Sequence, residues 1–191
     1  DNGIIDGNRL DCYNGVNCIG TETMGGPVNY SDPADVPNDI LVSNNIITNR
    51  YFSSGGDWVH FGAGINIDYV SNTLQSIAMP DNYITMLTVE NANVDFNGNF
   101  FIFPEKTLGA NNQSWGINLR ISQADIDVNV ENNSFIRPVN TNSTDGISCL
   151  GIYDSGMTPG LKTINLTFTH NLCYDVSEGS AGSNRGLTFG Y

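Results

Sequence analysis

Side chains that do chemistry are scarce in this chain of 191 residues, and their spacing brings few of them together. There are two histidines, His60 in "WVHFG" and His170 in "FTHN", at different phases of the local strand pattern, so neither a shared metal nor an acid–base pair is expected of them. The seven basic residues, Arg9, Arg50, Lys106, Arg120, Arg137, Lys162 and Arg185, follow no common phase; Arg120 in "INLRIS" is the one clearly placed on a strand. The acidic opening "DNGIIDGNRLD" lacks the alternating ligands and bidentate Glu of a calcium-binding EF-hand loop, and reads as a polar entry segment. Trp58 and Trp115 precede strands; exposed, they would stack on sugar rings, and the plainer reading packs them beneath loops. Cys12, Cys18, Cys149 and Cys173 have neither CxxC spacing nor a nearby histidine, which argues against sulfur-bound zinc. No cofactor or metal is expected from these residues, and no catalytic residue is assigned.

Composition narrows the classes further. Seven Lys and Arg against 20 Asp and Glu give a net charge of -13, which repels nucleic acid and anionic membrane. Only 14% of residues are charged, so Asn, Ser, Thr and Gly carry most of the polarity. No apolar run reaches the roughly 18 residues of a membrane span. The chain opens at Asp1 without an initiator Met or a signal-peptide pattern, which reads as a processed, exported form with an extracellular or cell-surface location. An even number of cysteines in an oxidising compartment suggests bridges. Three pairings are formally open; Cys12 with Cys18 and Cys149 with Cys173 are favoured, the first as a small local loop, the second because both residues take inward phases.

The elements that position these residues repeat. When Asn45, Asn72, Asn99, Asn133 and Asn171 are superimposed, the positions seven, five and three before and two after are apolar in 19 of 20 cases, from Ile40, Val42 and Ile47 to Leu166, Phe168 and Cys173. The positions between are mostly polar, the period of two that a strand with one buried face requires. Successive asparagines lie 27, 27, 34 and 38 residues apart, with the excess in polar, Gly-rich loops such as "GANNQSWG" and "YDSGMTPG". A second set of short strands precedes four of the five asparagine strands, at "WVHFG", "YITMLTV", "GINLRI" and "GISCLGI", and a last one, "GLTFGY", closes the chain. Units of this length, with short strands and no helical periodicity, predict an all-β fold: a parallel β-helix of about five coils with an asparagine ladder. The asparagines are expected in the left-handed conformation of a sharp turn, stacked about 4.8 Å apart. The competing β-sandwich would need Asn-Gly or Asp-Gly hairpin signals, and these are nearly absent.

Over residues 38 to 191 the repeat resembles the right-handed parallel β-helix proteins of the pectate-lyase-like kind, whose coils carry an inward asparagine ladder and stacked aliphatic and aromatic residues. That group holds polysaccharide lyases and hydrolases, tailspikes, adhesins and surface-layer subunits, so the resemblance implies fold more than activity. "STDGIS", from Ser143, is similar to the "NTDGI" element of polygalacturonase-type hydrolases, which would make Asp145 one of several catalytic carboxylates. The partners that such enzymes need, an Asp-Asp pair, a Gly-His-Gly and a basic clamp, do not follow, and Asp145 reads as a loop residue. The low charge and processed start are also similar to tubular sheath proteins of methanogenic archaea.

The expectation is therefore a secreted structural subunit that assembles with itself, head to tail, into a sheath, layer or fibre. Residues 1–37 are expected to be an irregular segment, serving as cap or interface, and 38–191 the solenoid. Ile40, Val42 and Ile47 at one end, and Leu187, Phe189 and Tyr191 at the other, are expected to meet between subunits, half a coil being absent at the start and supplied at the end. The alternative is a carbohydrate-binding or carbohydrate-degrading β-helix, with a cell-surface glycan as partner.

Overall fold

A computed structural model describes residues 3–12, 17–22, 29–30, 32, 34–49, 57–77, 85–103, 113–121, 124–137, 146–154, 162–174 and 185–190. Every regular element among them is a strand. Three strands and three turns make one coil, and six coils stack into three parallel sheets. The first sheet holds β1 (Gly3–Asp6), β4 (Asn38–Ser43), β7 (Gly64–Val70), β10 (Ala92–Asn97), β13 (Ile126–Glu131) and β16 (Ile164–Thr169). The second holds β2 (Arg9–Cys12), β5 (Ile46–Asn49), β8 (Thr73–Ser76), β11 (Phe100–Ile102), β14 (Ser134–Ile136) and β17 (Leu172–Tyr174). The third holds β3 (Ile19–Thr21), β6 (Asp57–Phe61), β9 (Thr85–Val89), β12 (Gln113–Ile121), β15 (Gly146–Asp154) and β18 (Arg185–Gly190).

The predicted β-helix is thus present, with one correction, to the number of its coils. A coil contains three strands, because the residues after each asparagine pair in a sheet of their own. There are six coils, because residues 1–37, expected to be irregular, contain β1, β2 and β3, which pair in parallel with β4, β5 and β6. The repeat pattern is weak there for a physical reason: the position five before Asn8 is Gly3, and the position seven before it is Asp1. Only Ile5 and Leu10 carry the apolar signal. Half a coil is therefore not absent at the start. Val42 and Ile47, expected at an interface, are fully buried in the second coil beneath the first, and Ile40 is partly buried beside them.

Loop lengths explain the uneven spacing. The turn from first to second sheet is two residues in every coil, whereas the turn from third to first sheet varies from two residues, as at Gly62–Ala63, to 16 between Thr21 and Asn38. The interior is filled by residues of the predicted inward phase. Val42, Tyr69, Phe96 and Val130 in the first sheet are fully buried, as are Ile47, Leu74 and Phe101 in the second. Phe101 and Phe135 stack at 4.6 Å, and Phe61, Tyr69 and Phe96 meet at 5.6 to 6.4 Å. Leu166 and Phe168, expected to be buried, are only partly so because β16 has one neighbour among the described strands. Asp127 faces outward and Glu131 lies half-buried on that face.

Gly116 marks where the third sheet approaches the second. A Cβ added there would lie 2.5 Å from Phe135 Cδ1 and 2.9 Å from the Cys149 carbonyl oxygen. Neither the ring, held in the Phe101 stack, nor the backbone has room to retreat. Gly116→Ala should therefore cost about 1–3 kcal/mol by overpacking, measured as a shift in the denaturant midpoint; an unchanged midpoint would show that the core yields at this point.

Candidate functional site

The sequence directs attention to the asparagines, and the structure gives them one geometry. In each two-residue turn between the first and second sheets, the left-handed residue is the one before the ladder asparagine: Gly7, Asn44, Ser71, Gly98, Asn132 and His170, with φ between 53° and 67°. The expectation that the ladder asparagines themselves are left-handed is corrected; the position before them bends, and Gly, Asn, Ser or His fills it. The ladder asparagine turns its side chain inward instead. Its Oδ1 accepts the backbone N–H and the Nδ2–H of the asparagine one coil earlier, as in Asn45 to Asn72 at 3.0 Å for both bonds and Asn99 to Asn133 at 2.9 Å for both. The other Nδ2 hydrogen reaches back to a strand carbonyl of the preceding coil: Asn72 to Val42 at 2.8 Å, Asn99 to Tyr69 at 2.7 Å. Both donors and the acceptor of the amide are used. Aspartate lacks the donors and serine lacks the second one, which is why one residue type recurs.

Asn45, Asn72, Asn99 and Asn133 are buried to 1% exposure or less. Asn171 continues the ladder from the last coil, accepting from Asn133 at 2.9 and 3.1 Å. A sixth member, Asn8, donates from its backbone N and its Nδ2 to Asn45 at 2.9 and 3.1 Å. It escaped the sequence reading for the same reason as its coil; the signal was the Gly-Asn pair, which Gly98-Asn99 repeats.

Both favoured bridges form. Cys12–Cys18 closes the turn from β2 to β3 within the first coil, and Cys149–Cys173 ties β15 of the fifth coil to β17 of the sixth, with Cα separations of 5.6 and 6.1 Å. The two disulfides point to an oxidising environment, and among the described residues no helix is long and apolar enough to cross a membrane.

Other predicted residues scatter. Trp58 is fully buried in the third sheet and cannot stack on a sugar from there, while Trp115 is half-buried and packs where a Cβ on Gly151 would sit. His60, on β6 of the second coil, lies 3.4 Å from Glu90, whereas His170 sits in the turn between β16 and β17 of the sixth coil. Arg137, just after β14, is buried to 1% exposure, which its off-phase position did not announce. Leu187 and Phe189 lie on β18, paired through the backbone with Leu150 and Ile152; Asp145 and Tyr191 fall outside the described residues.

The outer face of the first sheet carries the acidic surplus. Parallel register sets Asp68 beside Asp95, with Asn129 and Thr167 continuing the row, and Asn97 beside Glu131 in the next. Two adjoining grooves share Asp95 and Asp127; Asn66 and Asn93 complete one, and Asn129, Asn165 and Thr167 the other. Partial burial, with the neighbouring Asp68 and Glu131, raises the Asp95 carboxyl above the ordinary aspartate range. Asn165 donates to Asp127 at 2.7 Å, so part of this polar surface is already occupied by itself. Among the described residues no three His, Cys, Asp or Glu side chains converge as metal ligands would.

Comparison with protein-family models, with curated proteins and with solved structures finds no match to this chain. The architecture alone therefore defines its class, a disulfide-bonded parallel β-solenoid.

Two outcomes test this geometry. Asn99→Ala should leave the Asn72 N–H and the Tyr69 carbonyl without their partners in the core, at about 1–3 kcal/mol for each, whereas Asn171→Ala at the less enclosed end should cost less; equal effects on the unfolding midpoint would deny the ladder its role. Because the folded state raises the Asp95 pKa, Asp95 destabilises the fold at neutral pH and ceases to do so below the ordinary aspartate pKa. Asp95→Asn should thus raise Tm at pH 7, with its advantage shrinking towards pH 3; a constant or growing advantage would contradict the assignment.

Proposed function

We propose that the protein is a structural subunit of an extracellular assembly, in which solenoids associate end to end into a fibre, sheath or layer. The observation that carries this reading is the state of the outermost strands. β1, β2 and β3 at one end, and β16, β17 and β18 at the other, each have a neighbour on one side only among the described residues. Exposed apolar side chains accompany them: Ile4 is 72% exposed, Leu172 52% and Tyr174 50%. Open parallel edges of this kind pair with further strands unless blunted. The disulfides and the low content of charged side chains fit a protein that works outside the cell, packed against copies of itself.

A second reading, glycan binding, draws on the groove shared by Asp95 and Asp127, whose carboxylates and amides suit sugar hydroxyls. It is weaker, because none of the described residues that line that groove is aromatic and Trp58 is buried.

Light scattering and sedimentation across a concentration series, with disulfides intact, should find particles whose mass grows with concentration. A single monomeric species at the highest attainable concentration would overturn the assembly reading, and retention on acidic or neutral polysaccharide under the same conditions would move the assignment to glycan binding.

A further inference from the structure

The ladder has a direction, and its two ends are chemically different. At every step the earlier asparagine donates and the later one accepts. The residue before each asparagine repeats this polarity, since Gly7, Asn44, Ser71, Gly98 and Asn132 send their N–H to a carbonyl of the following coil. In the last coil the corresponding groups, the N–H of His170 and the N–H of Asn171, have no acceptor among the described residues. In the first coil Asn8 Oδ1 has no donor among the described residues, and Asn8 Nδ2 bonds to the carbonyl of Asp6 in its own turn at 3.0 Å where its counterparts reach back to an earlier coil. One end is left with donors, the other with an acceptor.

Resting on the assembly reading above, we infer that a second copy docks as a seventh coil in unbroken register, its Asn8 Oδ1 accepting from the backbone N–H and Nδ2–H of Asn171, so that the ladder runs through the junction. The register follows from the internal pairings. Val42 pairs with Ile5, and Val130 with Phe168, each three residues before its ladder asparagine, so Phe168 falls opposite Ile5. Likewise Ile47 pairs with Leu10, and Phe135 with Cys173, which brings Cys173 opposite Leu10. This alignment sets Leu172 opposite Arg9, Thr167 opposite Ile4 and Thr169 opposite Asp6, and no like charges face one another across β16–β1 or β17–β2. A two-fold arrangement would instead oppose donors to donors or acceptor to acceptor, so the contact is heterologous and propagates.

The test is a mixing experiment on the intact, oxidised protein by sedimentation. Asn8→Ala removes the acceptor; Leu172→Lys, at a half-exposed side chain, sets a cation opposite Arg9. Each alone should weaken self-association by about tenfold or more, yet an equimolar mixture should give 1:1 dimers, because each variant keeps the end that the other has lost. Leu172→Lys with Arg9→Glu in one chain should restore assembly. If the parent assembles and both variants assemble equally well, the ladder junction is wrong while end-to-end assembly stands; a monomeric parent removes both. A stable dimer of either variant alone indicates two-fold docking, and failure of the double variant to recover refutes the register. Should Asn8→Ala lose its first coil, Leu172→Lys and its Arg9→Glu rescue decide the matter by themselves.

Discussion

A backbone that reverses direction inside a stack of coils must hydrogen-bond its turn to something, and water is excluded from that position. The ladder asparagine meets this constraint with a single side chain that binds the coil before and the coil after. Buried amides left half-satisfied would cost more than an apolar residue in their place, so the turn tolerates little variation once stacked. Its length stays at two residues in all six coils while the other turns vary freely. The sheets inherit their register from this fixed corner: the strand residues on either side are counted from the asparagine in both directions, and the apolar columns line up because the count never changes.

How much of this was legible in the sequence depended on where redundancy was high. The first-sheet strands, the asparagines and the inward residues such as Phe96, Val130 and Phe135 could be read directly, because stacked coils impose one period on five separate segments. The sixth coil was not, since a strand that begins at Gly3 has lost two of its four apolar marks. The left-handed residue was misplaced by one position. Asn is the residue type usual in that conformation, but here the inward amide and the bend are separate tasks given to neighbours, and Ser71 or His170 at the bend gives no hint of it. Burial of Arg137, just after β14, was likewise hidden, and the third sheet does not follow the simple alternation: all five residues of β9 are enclosed. Val42 and Ile47 were placed at an interface as a direct result of the unseen coil, which covers them.

The acidic face illustrates a different consequence of stacking. Parallel register places identical rows of side chains one strand spacing apart, so any row that repeats aspartate accumulates repulsion, as at Asp68 and Asp95. The sequence relieves the row by alternating carboxylates with amides and hydroxyls: Asn129 and Thr167 follow Asp95, and Asn93 and Asn165 flank Asp127, to which Asn165 donates. On this face, among the described residues, the acidic surplus is in this way carried without a continuous column of like charges.

In a solenoid each coil touches only its neighbours, so unravelling begins where a coil has one neighbour rather than two. The disulfides lie at those places. Cys12–Cys18 restrains the first coil from within, and Cys149–Cys173 fastens the sixth coil to the fifth, while the second, third and fourth coils carry no disulfide. Loss of the sixth coil must therefore proceed against a covalent link to the fifth, whereas Cys12–Cys18 stiffens the first coil without fastening it to the second, so the two tips of the stack are held by different means and the first is the one free to peel away whole.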